Sequence, residues 1–131
     1  TTARGLLGLE GSGSVFAFLM QHTASNSMEG YTGFTFANRI GSAVAEAAPT
    51  AIHHWAITYD GTTAVLYRDG VSVASEAQAW TATDATQPLY IGGRATSSGV
   101  ASFLGTIGGF AFHKTALPAA RILAHAQAAG L

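Results

Sequence analysis

Seven carboxylates, Glu10, Glu29, Glu46, Asp60, Asp69, Glu76 and Asp84, are the chain's whole stock of acidic side chains. Glycoside hydrolysis needs two such groups facing each other across the bond to be broken. On a β-strand, residues two apart share a face and can make that pair, yet no two of the seven are so spaced. Asp60 and Asp69 each stand directly before a glycine, where an aspartate serves a turn. The five histidines give no chelating pattern. His53 and His54 are adjacent, so on a strand they point to opposite faces and cannot hold one ion together. His22, His113 and His125 are isolated in sequence, and there is no H-E-x-x-H helix. Structural roles are expected for all five, with His54 buried and hydrogen-bonded and the others facing solvent. The G-x-S-x-G nucleophile elbow and phosphate-cradling glycine motifs are absent. With no cysteine in the chain, disulfides, Cys-ligated zinc and thiol catalysis are excluded together. The chain is expected not to be an enzyme.

Binding chemistry has better candidates. A sugar ring stacks its apolar face on an exposed aromatic side chain beside a few hydrogen-bonding groups. Trp80, inside the polar stretch from Glu76 to Gln87, is the first choice for that platform. Tyr31, Tyr90 and Arg94 are candidates for flanking contacts, and Asn26 or Glu29 for hydrogen bonds. The competing role for Trp80 is to cap one end of the core, and for the others ordinary packing.

Composition narrows the partners. Charged residues make up 10% of the 131, against about 25% in ordinary soluble domains. The net charge of −1 offers no basic face to draw in nucleic acid. Weakly charged surfaces favour self-association, which points to a homo-oligomer or larger assembly, although an alanine- and glycine-rich composition by itself gives the same numbers. No apolar run approaches the ~18 residues of a membrane helix. The best run, Val15 to Met20, is strand-length, so no membrane insertion is expected. The length suits a single domain over residues 1–131. The chain begins at Thr1 without a signal peptide, which suggests excision from something longer.

The elements that must position these residues read as strands: short apolar runs punctuated by Gly, Ser, Thr and Asp. Val15–Gln21 is a strand, His22 to Gly30 reads as loop, and Tyr31 to Ala37 alternates as a second strand with Phe34 and Phe36 on one face. Gly41–Ala48 is either a short strand or a turn of helix. In Ile52–Tyr59, Trp55, Ile57 and Tyr59 share a face. Asp60-Gly61-Thr62 turns the chain into Ala64–Asp69, and Asp69-Gly70 turns it again into Val71–Ala74, giving a three-stranded meander. Pro88–Gly93 reads as another strand. Ser102–Lys114 is expected to supply a strand pair or one long strand, with Ile107, Phe110 and Phe112 in the core. The period then changes: Ala119–Ala129 is a helix, with Pro118 at its start, Gly130 past its end, and Ala119, Ile122, Leu123 and Ala126 as its apolar stripe. The fold class is all-β: an antiparallel two-sheet β-sandwich with a short C-terminal helix.

The run His53-His54-Trp55-Ala56-Ile57-Thr58-Tyr59-Asp60-Gly61, followed by Leu66-Tyr67-Arg68-Asp69-Gly70-Val71, resembles the laminin-G-like, concanavalin A-like jelly-roll family. Leu89-Tyr90-Ile91-Gly92-Gly93 is similar to that family's L-x-I-G strand. Phe103-Leu104-Gly105-Thr106-Ile107 through Leu117-Pro118 is similar to its closing segment. These matches cover about residues 52–126, whereas residues 1–51 match loosely and look short of strands. Ile52 stands where the family usually has Trp, and Gly108-Gly109 replaces its Asp-Glu pair. The resemblance implies a jelly roll that binds carbohydrate or protein on an extracellular, cell-surface or virion protein. A structural subunit, such as a phage capsid decoration or tail protein, is the alternative. It also admits calcium, for which Ser25–Glu29 and Thr81–Asp84 offer oxygens. Each loop carries one carboxylate where a tight site gathers several, so no cofactor is expected.

Overall fold

The computed structural model describes residues 3–10, 16–23, 25–32, 38–46, 51–78, 88–96 and 99–131. Strands β1 (Arg4–Glu10), β2 (Phe16–His22), β3 (Ser27–Thr32), β4 (Val44–Ala45) and β8 (Leu89–Ile91) form an antiparallel sheet in the order β4-β3-β2-β1-β8. A second sheet is the meander of β5 (Trp55–Tyr59), β6 (Thr63–Arg68) and β7 (Val71–Ala77). Strands β9 (Gly93–Thr96) and β10 (Gly99–Ser102) make a separate hairpin, and one helix, α1 (Ala119–Ala128), follows.

The two larger sheets pack face to face. Met20 and Met28 from the five-stranded sheet meet Ala64 and Leu66 from the meander, with Ile40 completing a buried cluster. Trp55, Ile57 and Tyr59, the face predicted from alternation, close around it. The expected all-β sandwich with a terminal helix is therefore the architecture found. Strand β2 is buried on both faces, with Leu19 fully buried on one and Met20 nearly so on the other.

Turn chemistry fixes the meander. Asp69 and Gly70 have φ of 51° and 81°, as the two central residues of a type I′ turn require. Asp60 Oδ1 accepts from the backbone N–H groups of Thr62 and Thr63 and from the Thr62 hydroxyl, at 2.8–2.9 Å. The helix ends as sequence predicts: the Leu131 N–H donates to the Ala126 carbonyl and the Gly130 N–H to that of Gln127, a Schellman closure. Of its predicted stripe, Ile122 and Ala126 are buried, while Leu123 is 40% exposed.

Three expectations need correction. His22 to Gly30 is not all loop. A tight turn, with Asn26 at φ 54°, starts β3 at Ser27, so the strand expected from Tyr31 begins earlier; residues 33–37, with Phe34 and Phe36, lie outside the described residues. Strand β1 and the β9–β10 hairpin were not expected at all. Most consequentially, Ser102–Lys114 contributes no strand beyond Ser102. Ile107, Phe110 and Phe112, assigned to the core from sequence, are exposed. The physical reason is composition: Gly105, Gly108 and Gly109 give no side chains to pack and leave the backbone entropy of ordering a strand uncompensated.

Candidate functional site

The site is built on the face of the five-stranded sheet that points away from the meander. Alternation along β2 sends Met20 into the core and Leu19 and Gln21 to this opposite face. On β3, Leu19 is paired with Tyr31 and Gln21 with Glu29, so these four side chains share the surface. One further row runs across the sheet: Tyr90 pairs with Gly8, Gly8 with Leu19 and Leu19 with Tyr31. Tyr90 therefore stands on the same face, half-buried.

Glu29 is the hub of this face. Its carboxylate accepts from the Tyr31 hydroxyl at 2.6 Å, from Gln21 Nε2 at 3.0 Å and from Arg39 Nη1 at 3.1 Å. Gln21 is oriented from its other end, because Arg94 Nη1 donates to its Oε1 at 2.6 Å. Gln21, Glu29, Tyr31 and Arg94 are all buried. Burial, and then the hydrogen bond to the Glu29 carboxylate and its negative charge, push the Tyr31 phenol above the ordinary tyrosine range, so the hydroxyl stays a donor. Arg39 differs from the rest: its side chain is 43% exposed, while its Nε donates to the Gly41 carbonyl at 2.9 Å. The guanidinium is thus held at two points with part of its donor edge toward solvent.

Arg94 reaches this face because the β9–β10 hairpin lies close over β1. A Cβ built on Gly5 would sit 2.4 Å from the Gly93 carbonyl oxygen and 2.5 Å from the Arg94 Cβ, so only glycine permits that approach. Arg4 secures the hairpin from the same strand, its Nη1 donating to the Ser102 carbonyl at 3.2 Å.

Of the residues singled out from sequence, Glu29, Tyr31 and Arg94 belong to one hydrogen-bonded network, and Tyr90 stands on the same sheet face. Asn26 is exposed in the β2–β3 turn, where its carbonyl accepts from the Glu46 N–H at 2.8 Å. Trp80 lies outside the described residues. Sequence reasoning missed Gln21 and Arg39. Gln21 had a signal: it shares the Leu19 face of β2, and the hairpin places it opposite Glu29. Of the two loops weighed for calcium, Ser25–Glu29 is turn and strand with Glu29 already committed to three donors, and Thr81–Asp84 lies outside the described residues.

A second polar cluster sits at the Asp69-Gly70 end of the meander. His53 Nδ1 is 2.8 Å from Asp69 Oδ2 and its Nε2 is 2.8 Å from Arg68 Nη2. A guanidinium only donates, so Nε2 accepts and Nδ1–H donates to Asp69. Glu46 Oε2 stands 3.5 Å from Arg68 Nη2 and 3.6 Å from His53 Nε2, and Arg68 lies over the Trp55 ring at 5.9 Å. The histidine roles are therefore reversed from expectation: His53 carries the side-chain hydrogen bonds, while the buried Nδ1 of His54 has none. Burial, then the nearby His125, hold His54 below the ordinary histidine range, with Asp69 opposing.

Comparison with known proteins places this arrangement. The family model described as the concanavalin A-like lectin/glucanases superfamily, of laminin G type, matches residues 2–123. The chain belongs to this family. Among solved structures, an S-layer domain-containing protein (residues 221–444) from Clostridium thermocellum is similar in fold, with a TM-score of 0.54 and 19% sequence identity. That match covers 95% of this chain and 63% of the Clostridium structure. A search of curated proteins finds no match.

Proposed function

We propose that this laminin-G-like domain is a non-catalytic recognition module that binds carbohydrate or protein at a cell surface or outside the cell. The contact surface is the outer face of the five-stranded sheet, and Trp80 remains the stacking aromatic expected from the sequence. The observation that carries this reading is the pre-set Arg39 guanidinium, tied to Glu29 and to Gly41 and part-exposed. A donor already held in place loses little freedom on binding. Tyr90 and the buried Gln21–Glu29–Tyr31–Arg94 network lie on the sheet face behind it. Catalysis is disfavoured because Glu29, the acid at this face, has its carboxylate occupied by three donors, which suits neither a nucleophile nor a proton donor. The fold likeness to an S-layer domain-containing protein is in keeping with a surface location.

A glycan array probed with the wild type, Trp80→Ala and Arg39→Ala tests this. Binding by the wild type that is lost in both variants, with far-UV circular dichroism unchanged, supports it. No binding by the wild type to either glycans or a protein array overturns it, and release of reducing sugar by the purified chain would reinstate an enzyme.

A second reading, a structural subunit such as a capsid decoration or tail component, is favoured by one observation. Large apolar side chains stand in the open, Leu104 at 73% and Phe112 at 63% exposed. Assembly into higher-order particles without ligand binding would favour it.

A further inference from the structure

Three histidines that stand apart in the sequence meet where α1 is seated on the meander. His54 directly precedes β5 and extends its ladder, its carbonyl accepting from the Asp69 N–H at 2.8 Å. Alternation with the core-packed Trp55 and Ile57 puts its ring on the meander's outer side. At the same end, Leu123 of α1 rests on Gly70, where an added Cβ would lie 2.7 Å from the Leu123 Cα. His125 follows Ile122 by three residues and adjoins Ala126, the two buried residues of α1, so it shares the docking side of the helix. Its charge is felt at His54. The His113 ring, from the segment leading into α1, lies 5.8 Å from the His125 ring with planes inclined by 32°.

The surroundings favour neutral rings. The buried Nδ1 of His54 has no hydrogen-bond partner, whereas a charged imidazole needs an acceptor at both nitrogens. Asp69 is the carboxylate that favours charge on His54. However, its Oδ1 accepts the His54 backbone N–H and its Oδ2 faces His53. His53 itself points to the opposite side, toward Arg68 and Glu46. Tyr67 pairs with Ala56 and so shares the outer side with His54, bringing a phenol rather than a carboxylate. Glu76 of β7 is five residues beyond Val71, about 16 Å along the strand.

The helix side supplies no acid. After Asp84 the sequence has neither Asp nor Glu, while Lys114 adjoins His113 and Arg121 precedes His125 by one turn. The carbonyl end of α1 attracts a cation, but the N–H groups of Ala129, Gly130 and Leu131 already donate to carbonyls there. The helix also has little stability of its own. It is ten residues long with no side-chain cap at its start, below the ~12–15 residues at which a helix holds alone in water. Its order depends on docking.

We propose that His54, His113 and His125 form an acid-operated latch: while neutral they let α1 lie on the meander, and once charged they repel one another and release it from a sandwich that stays folded. The latch is independent of what the outer face of the five-stranded sheet binds. Because docking disfavours the charged His54 ring, the docked state binds fewer protons and falling pH favours release. Through His54 alone the opening constant rises by up to about tenfold per pH unit below about 6.5.

Amide hydrogen exchange of the whole chain at about pH 7.5 and about pH 5.5, either side of the ordinary histidine value, tests the latch once corrected for the pH dependence of chemical exchange. The three histidine rings are followed by NMR over the same range, and His54→Gln/His125→Gln is the variant. The expected result in the wild type is an acid loss of protection of about tenfold across Ala119–Ala128, with β5–β7 still protected. The variant should keep α1 equally protected at both pH values. Wild-type α1 protection that ignores pH overturns the proposal, as does loss from α1 and the meander together or an equal acid loss in the variant. If glutamine weakens α1 at the higher pH as well, the wild type decides: release must coincide with titration of the His54 ring, and a midpoint where none of the three rings titrates overturns the latch.

Discussion

Glu29 and Arg39 form an ion pair at 3.1 Å, yet most of what Glu29 contributes lies on its buried side. The Arg39 side chain is 43% exposed, and such pairs contribute about 0–1 kcal/mol. The hydroxyl of Tyr31 and the amide of Gln21 are buried, and a buried donor left without its acceptor costs about 1–3 kcal/mol. Glu29→Ala is therefore expected to destabilise the domain by about 2–4 kcal/mol, and Arg39→Ala by less than about 1 kcal/mol, both measured by urea unfolding. Equal losses would mean that the ion pair dominates. His54 sets a pH dependence. Its folded pKa lies below the unfolded one, so the unfolded chain takes up a proton first as pH falls. The stability is fully present above the ordinary value of about 6.5 and is lost progressively below it. His125→Ala should bring the His54 titration, followed by NMR, back toward its ordinary range. A wild-type His54 that titrates at or above that range would contradict this.

At the scale of elements, two glycines decide whether pieces come together. Gly70 has φ 81°, and a Cβ there would lie 2.7 Å from the Leu123 Cα of α1. Gly70→Ala thus strains the turn and pushes the helix off β7, with an expected cost of about 1–3 kcal/mol. Gly5→Ala meets backbone of β9 and should cost about as much, while also disturbing the Arg94–Gln21 bond. Thermal unfolding of both variants checks this, and an unchanged Tm for Gly5→Ala would mean that the hairpin is not seated on β1. The first glycine was legible, since Asp69-Gly70 between alternating runs is a hairpin signal. The second was not: nothing local in Arg4-Gly5-Leu6 says that a strand some ninety residues on will rest upon it. The same blindness placed Ile107, Phe110 and Phe112 in the core, because apolar spacing was read where glycines had removed the means of packing.

For the molecule as a whole, the core between the two sheets sets the stability. Leu66 is fully buried between them, and Leu66→Ala should cost about 2–5 kcal/mol, read from denaturant midpoints at a fixed protein concentration.

By itself the sequence determined the all-β class, the three-stranded meander between Ile52 and Ala74, its two turns and the helix with its glycine stop. Each of these rests on chemistry within a few residues: side-chain alternation, φ preference and capping. It also nominated Glu29, Tyr31 and Arg94, without any means of joining them. Only the tertiary structure did that, because the contact between Arg94 and Gln21 depends on strand register and on a hairpin folded across β1. Register and sheet order come from pairings far apart in the chain, and no local pattern encodes them.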